Sequence, residues 1–225
     1  MQIGLIGGIG PAAQDYYTQQ LITIFADALS PLEMTTVHAD TPTLLANLAD
    51  DRRAEQAEIF LRLTDRLALA GADCVAVTSI AGHFCRHEFA AQSPVPVIDM
   101  ISAVSKNVEA RGLRQVGILG TRTVMESRFY GGIETATVIP PAEPELGDVH
   151  ATYAAMATAG AITNEQRAVF EIAARRLIEN EGAQAIMLGG TDLALAFDSK
   201  NNPFPLVDCA AIHATAIAAH AMQSR

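Results

Sequence analysis

Cysteine is scarce in this chain, with only Cys74, Cys85 and Cys209. Three thiols so far apart cannot build a disulfide scaffold, and they lack the close Cys pairs of a zinc site. Basic residues are few as well: 15 Lys and Arg stand against 25 Asp and Glu, for a net charge of −10. Nucleic acid is therefore excluded as a partner, because neutralising phosphate takes clusters of Lys and Arg. The same charge opposes long-range attraction of an acidic ligand, although one local cation could override it. No apolar run is long enough to span a bilayer, so no membrane partner is expected. Residues 1–9 lack a basic n-region and run straight into Gly10-Pro11, so no signal peptide is read and a cytoplasmic location follows by default. A Walker A lysine and a G-x-S-x-G elbow are also missing. The Gly-Gly-Ile-Gly-Pro stretch at 7–11 lacks dinucleotide spacing, and Asp40 is a poorly placed acid after the second strand.

What the chain does have is a repeat. Gln2-Ile3-Gly4-Leu5-Ile6-Gly7-Gly8 recurs 113 residues later as Gln115-Val116-Gly117-Ile118-Leu119-Gly120-Thr121, and Tyr17 and Tyr130 each stand 15 residues after the Gln. Gly71 to Ser79 is echoed by Gly182 to Gly190 at an offset of 111, and the Pro94-x-Pro96 to Asp99 segment by Pro203-x-Pro205 to Asp208 at 109. Three ordered matches at about half the chain length imply two α/β halves. With 50% hydrophobic and 18% charged residues, each half has the composition of a compact fold.

Short apolar runs alternate with helix-permissive stretches. Strands are expected at 3–6, 35–39, 74–77 and 95–98, then at 116–119, 136–139, 185–188 and 206–207. Helices are expected at 12–28, 51–70, from 100, from 124, at 165–181 and up to 220, with a surface loop at 140–144. This order predicts two pseudo-symmetric flavodoxin-like domains, each with a mostly parallel four-stranded sheet covered on both faces and a cleft between them. The first domain is assigned 1–99 plus 208–225, because the last helix can pack back on it, and the second 100–207.

In open parallel sheets ligands bind beyond the carboxyl ends of the strands. The loops there, at 7–11, 78–82, 121–123, 189–192 and 208–209, are rich in Gly, Ser and Thr, whose N–H and hydroxyl groups suit a carboxylate or phosphate. His83 and His87, with Glu88 beside them, could begin a metal site on one helix face. No third ligand is evident, so no metal is expected.

The stretches MQIGLIGGIGPAAQDYYTQQL, GADCVAVTSIAGHF, QVGILGTRTVMESRFY, GAQAIMLGGTDLAL and PFPLVDCAAIHA together resemble the aspartate/glutamate racemase superfamily, aspartate racemase branch, over essentially the whole chain. The resemblance implies two pseudo-symmetric domains, no cofactor, a homodimer, and inversion of an α-carbon by one cysteine from each domain. It places the catalytic positions at Ser79 and Gly190, where both thiols are replaced. Binding of a small carboxylate or amino acid falls to Gly8, Ile9, Gly10, Thr78, Ile80, Ala81, Thr121, Thr123 and Thr191. The arginine and lysine of acidic-substrate members fall at Leu44 and near Thr158.

These replacements are chemically serious. A thiol ionises near ~8.5 and an alkyl hydroxyl closer to ~15.7, so even a gap of ~5 units costs roughly 7 kcal/mol. Ser79 needs an activating neighbour, for which His83 is the local candidate, and Gly190 has no side chain. The leading expectation is a cofactor-independent racemase or isomerase with non-thiol residues at the catalytic positions. A lyase such as a decarboxylase on the same scaffold and a catalytically silent carboxylate-binding protein are the alternatives.

Overall fold

The computed structural model describes residues 1–8, 11–197 and 202–223. Its Cα positions divide the chain into two compact units, Met1–Met100 with His213–Arg225, and Ile101–Ile212.

The first unit opens with β1 (Gln2–Gly7), α1 (Pro11–Asp27), β2 (Glu33–His38), α2 (Thr41–Ala49), α3 (Arg53–Leu69) and β3 (Cys74–Val77). A 3-10 turn at Ala81–Cys85 then leads into the short α4 (Arg86–Ala90), and α5 (Met100–Ala110) begins at the unit boundary. The sheet is parallel in the order β2-β1-β3. β1 is central, and Ile3, Leu5 and Ile6 are fully buried, as expected of a strand covered on both faces.

The fourth strand expected at 95–98 is reduced to a single parallel bridge between Val75 and Val97. Val75 N donates to Pro96 O at 2.9 Å and Ile98 N to Val75 O at 2.8 Å. Pro94 and Pro96 have no N–H to extend the ladder. α2 was not expected. Asp40 caps it, its carboxylate accepting from Thr43 N at 3.0 Å, and it ends before Asp51, whose φ of 49° breaks the helix expected from 51 and lets α3 start afresh at Arg53.

The second unit holds β4 (Gln115–Gly120), α6 (Arg122–Glu126), β5 (Thr137–Ile139), α7 (Glu145–Ala159), α8 (Asn164–Glu179) and β6 (Ala185–Gly189). A 3-10 turn at Thr191–Leu195, β7 (Leu206–Val207) and the start of α9 (Cys209–Gln223) complete it. Its sheet is parallel in the order β5-β4-β6-β7. β6 is buried along all five residues.

The helix expected from 124 is only five residues long, because Arg128, Phe129 and Tyr130 all take left-handed backbone, with φ of 51°, 60° and 56°. α7 was not expected either; it ends on Gly160, whose φ of 64° is the usual left-handed helix stop. Thr163 and Gln166 form a reciprocal capping box that starts α8. No helix among the described residues is long and apolar enough to cross a membrane.

α9 begins in the second unit and runs into the first. There His213 ties it down: Tyr17 Oη lies 2.8 Å from His213 Nδ1, and His213 Nε2 lies 2.7 Å from the Ile98 carbonyl. Nε2–H therefore donates to the carbonyl, and Nδ1 accepts the tyrosine proton. Ala214, Ile217, Ala218 and Ala221 are buried on the same helix, which belongs to the first unit from His213 on.

Candidate functional site

The carboxyl ends of the strands carry the candidate residues in both units. In the first, β1 runs out at Gly7-Gly8 and β2 at His38. Ala39 N donates to Gly7 O at 2.7 Å, and the Thr41 hydroxyl donates to Gly8 O. Gly8 is thus tied to the start of α2, while Ile9 and Gly10 lie outside the described residues. Asp40 is used as a helix cap, and the two bonds from Thr43 hold its carboxyl below the ordinary range.

β3 runs directly into Thr78 and Ser79, both buried. The Thr78 hydroxyl reaches back to Ile6 O at 3.4 Å, joining the tips of β3 and β1. Ile80 and Ala81 are buried and apolar. His83, the candidate activator of Ser79, is occupied otherwise. Its Nδ1 lies 2.7 Å from the Ser79 main-chain carbonyl and its Nε2 accepts from Met100 N at 3.4 Å. Both ring nitrogens therefore serve backbone groups, and neither is on the Ser79 hydroxyl. Burial holds this imidazole neutral, its pKa lowered. The ring packs edge-on to His213 at 5.8 Å between centroids, so His83 belongs to the packing of its unit.

None of the cysteines offers a replacement thiolate. Burial pushes Cys74 up to about 11 and Cys85 up to about 12, and it raises the fully buried Cys209 well above the ordinary thiol value. Among the described residues no group of three or more His, Cys, Asp and Glu is gathered for a metal ion. Leu44 is buried in the core, and Thr158 is exposed with its hydroxyl on Ala154 O at 2.8 Å, so neither position holds a cation.

In the second unit Thr121 follows β4 and caps α6, accepting from Val124 N at 3.4 Å, while Thr123 is exposed on that helix. Between them the Arg122 side chain pairs with Glu143 at 2.6 Å and Glu126 at 2.9 Å, and the Arg122 main-chain N–H donates to His150 Nδ1 at 3.2 Å.

β6 ends at Gly189, and Gly190, in extended backbone with φ of −157°, leads into the turn at Thr191. That turn is held from α8 by Arg167, whose guanidinium donates to Leu195 O at 2.8 Å and to Ala196 O.

Gly190 is a glycine because of what faces it. A Cβ built there would lie 2.3 Å from Cε2, 2.5 Å from Cζ and 2.6 Å from Oη of Tyr153. The phenol thus fills the space that a side chain at 190 would take. Its hydroxyl donates to Asp192 Oδ2 at 3.0 Å, and Asp192 Oδ1 is buried with no partner. Burial and the Asp192 charge raise the Tyr153 pKa well above its ordinary value, and burial raises that of Asp192.

Sequence reasoning missed Tyr153 because it sits on α7, an Ala- and Thr-rich segment with no clear apolar period. The Gly-Gly-Thr-Asp loop at 189–192 pointed to the strand tip but not to the tyrosine that reaches it.

The sequence model of the family described as Asp/Glu/Hydantoin racemase matches residues 6–217 of this chain. Among solved structures, a putative Asp/Glu racemase from Yersinia pestis is 25% identical with a TM-score of 0.86, covering 99% of both chains. An aspartate racemase homologue from Pyrococcus horikoshii OT3 is 24% identical with a TM-score of 0.82, covering 98% of this chain and 99% of its own. A glutamate racemase from Francisella tularensis subsp. tularensis SCHU S4, solved with D-glutamate, shares the fold at 15% identity and a TM-score of 0.70, over 100% of this chain and 82% of its own.

Proposed function

The chain belongs to the Asp/Glu/hydantoin racemase family, and from that premise we propose that it binds a small amino-acid carboxylate and moves the proton on its α-carbon, as a cofactor-independent racemase or isomerase working without thiols. The observation that carries this reading is the matched pair of strand tips. Ser79 stands just beyond β3 and Gly190 just beyond β6, at repeat-equivalent positions, each shortly before a 3-10 turn. The internal repeat is the ground for assigning one ligand to both tips. Hydroxyl and backbone groups at Thr78, Thr121 and Thr191 suit an α-carboxylate. The losses at Leu44 and Thr158 speak against a second carboxylate on the ligand, which would be buried without its cation.

A catalytically silent ligand-binding protein is the second reading, favoured by the absence of a histidine on the Ser79 hydroxyl and of any side chain at Gly190.

One experiment separates them. The protein is incubated in D2O with both enantiomers of alanine, serine, aspartate and glutamate, with α-proton exchange followed by NMR and binding by calorimetry. Exchange with inversion supports the first reading. Binding without exchange in any of the eight compounds refutes it in favour of the second.

A further inference from the structure

At the β6 tip an acid–base pair occupies the space that the missing side chain of residue 190 leaves. Tyr153 reaches it from α7, with Oη 2.6 Å from where a Cβ at Gly190 would be. Behind the phenol stands Asp192, accepting its hydrogen bond at 3.0 Å on Oδ2 while Oδ1 remains buried and without a partner. Structure alone does not call for this arrangement. A carboxylate only 3% exposed with an orphan oxygen is destabilising, and an apolar pair at 153 and 192 would fill the same volume without that cost. Such a cost is at home where a group must exchange a proton.

We propose that Tyr153, backed by Asp192, is the proton-transfer group of the second unit, doing from α7 what a thiol at position 190 would do from β6. The inference rests on the α-proton reading above.

In the transfer the α-C–H bond of the ligand breaks, and its electron pair stays on the α-carbon and spreads into the adjoining carboxylate. That proton bonds to Tyr153 Oη while the tyrosine's own proton passes to the ionised Asp192 at Oδ2. The phenol ends neutral and Asp192 ends as a neutral acid, so no phenolate has to form in a desolvated place. Run backwards, the pair returns a proton to the same face of the carbon. Asp192 touches no ligand in this scheme and is a positioning and proton-storing residue; Tyr153 is the catalytic one.

The test uses the full chain and the enantiomer pairs named above in D2O. A group serving one face accounts for exchange of one enantiomer only. Tyr153→Phe is therefore expected to abolish interconversion and to slow exchange of one enantiomer by about 100-fold or more, with the other enantiomer and both affinities changed by no more than about threefold. Asp192→Asn is expected to slow the same enantiomer and to remove the limb of its pH–rate profile that follows carboxyl ionisation. If Tyr153→Phe does not fold, Asp192→Asn carries the test alone.

Exchange in Tyr153→Phe at the wild-type rate, or equal slowing of both enantiomers, would overturn the role of Tyr153 and leave the α-proton reading standing. A wild-type protein that binds these compounds but exchanges none overturns both.

Discussion

Putting any side chain at position 190 should be costly, and the cost should vanish when Tyr153 is removed. In Gly190→Ala the new methyl would sit 2.3 to 2.6 Å from two ring carbons and the hydroxyl oxygen of Tyr153, well inside van der Waals contact. The ring must move by roughly 1 Å to restore ordinary carbon–carbon separations of ~3.5 Å. Overpacking of this kind costs about 1–3 kcal/mol. Moving the ring also takes the phenol off Asp192, leaving a buried carboxylate short of a donor for another ~1–3 kcal/mol. A loss of roughly 2–6 kcal/mol should lower the melting temperature by on the order of 5–20 °C in a chain of this size. Differential scanning calorimetry and urea unfolding measure it. Tyr153→Ala alone should cost about 3–5 kcal/mol for the cavity. The double variant should then be more stable than the sum of the singles predicts by about 2–6 kcal/mol, the whole cost of the single Gly190 change and the signature of two residues competing for one space. If Gly190→Ala melts with the wild type, or the two costs simply add, the steric argument is wrong. With the Tyr153 ring in that space, a cysteine cannot be restored at 190 unless Tyr153 is shortened as well.

Two further outcomes follow from groups held neutral by burial. His213 has a pKa lowered from 6.5 to about 3, chiefly by desolvation, with the neighbouring His83 second. The unfolded chain thus binds more protons than the folded one below pH 6.5. Stability is fully present above that value and is lost as pH falls toward 3, by about 2 kcal/mol at pH 5. His213→Asn should flatten the dependence of the melting temperature on pH between 4 and 7, and an unchanged slope would refute the assignment. The three thiols, all raised by burial, should resist an aromatic disulfide reagent at pH 7.5 in the native protein and react together in denaturant. Rapid native labelling of even one would show an exposed thiolate.

The parts of the fold that could be read from the sequence are those where burial dictates composition. The segments 3–6, 74–77, 116–119 and 185–188 are almost wholly apolar, because strands in a parallel sheet are covered on both faces, and β1, β3, β4 and β6 fall on them. What stayed hidden was decided by backbone details or by neighbours distant in sequence. Asp51 and the run Arg128 to Tyr130 adopt left-handed backbone without glycine, so nothing in their residue types announced that a helix would stop there. The tyrosines at 17 and 130 match in the repeat but not in role: one is fully buried on His213, and the other lies in that left-handed run. At the site, composition flagged the Gly-Gly-Thr-Asp tip but not Tyr153, whose approach depends on how α7 packs. His83 misled for the converse reason. Four residues from Ser79 is the right spacing to meet that residue, yet it is the main-chain carbonyl that the ring meets.

The clamp of His213 on Tyr17 and Ile98 also sets an order of events on the ribosome. Chains are made at roughly 5–20 residues per second and domains generally fold as they emerge. Here the first unit, Met1–Met100, waits for His213 and the helix around it while the whole of Ile101–Ile212 is still being synthesised. That delay lasts roughly 5–20 s at those rates. Throughout it Tyr17 lacks the acceptor nitrogen of His213, and the first unit lacks the helical segment that carries the buried Ile217, Ala218 and Ala221. The half that begins first is therefore the half that finishes last.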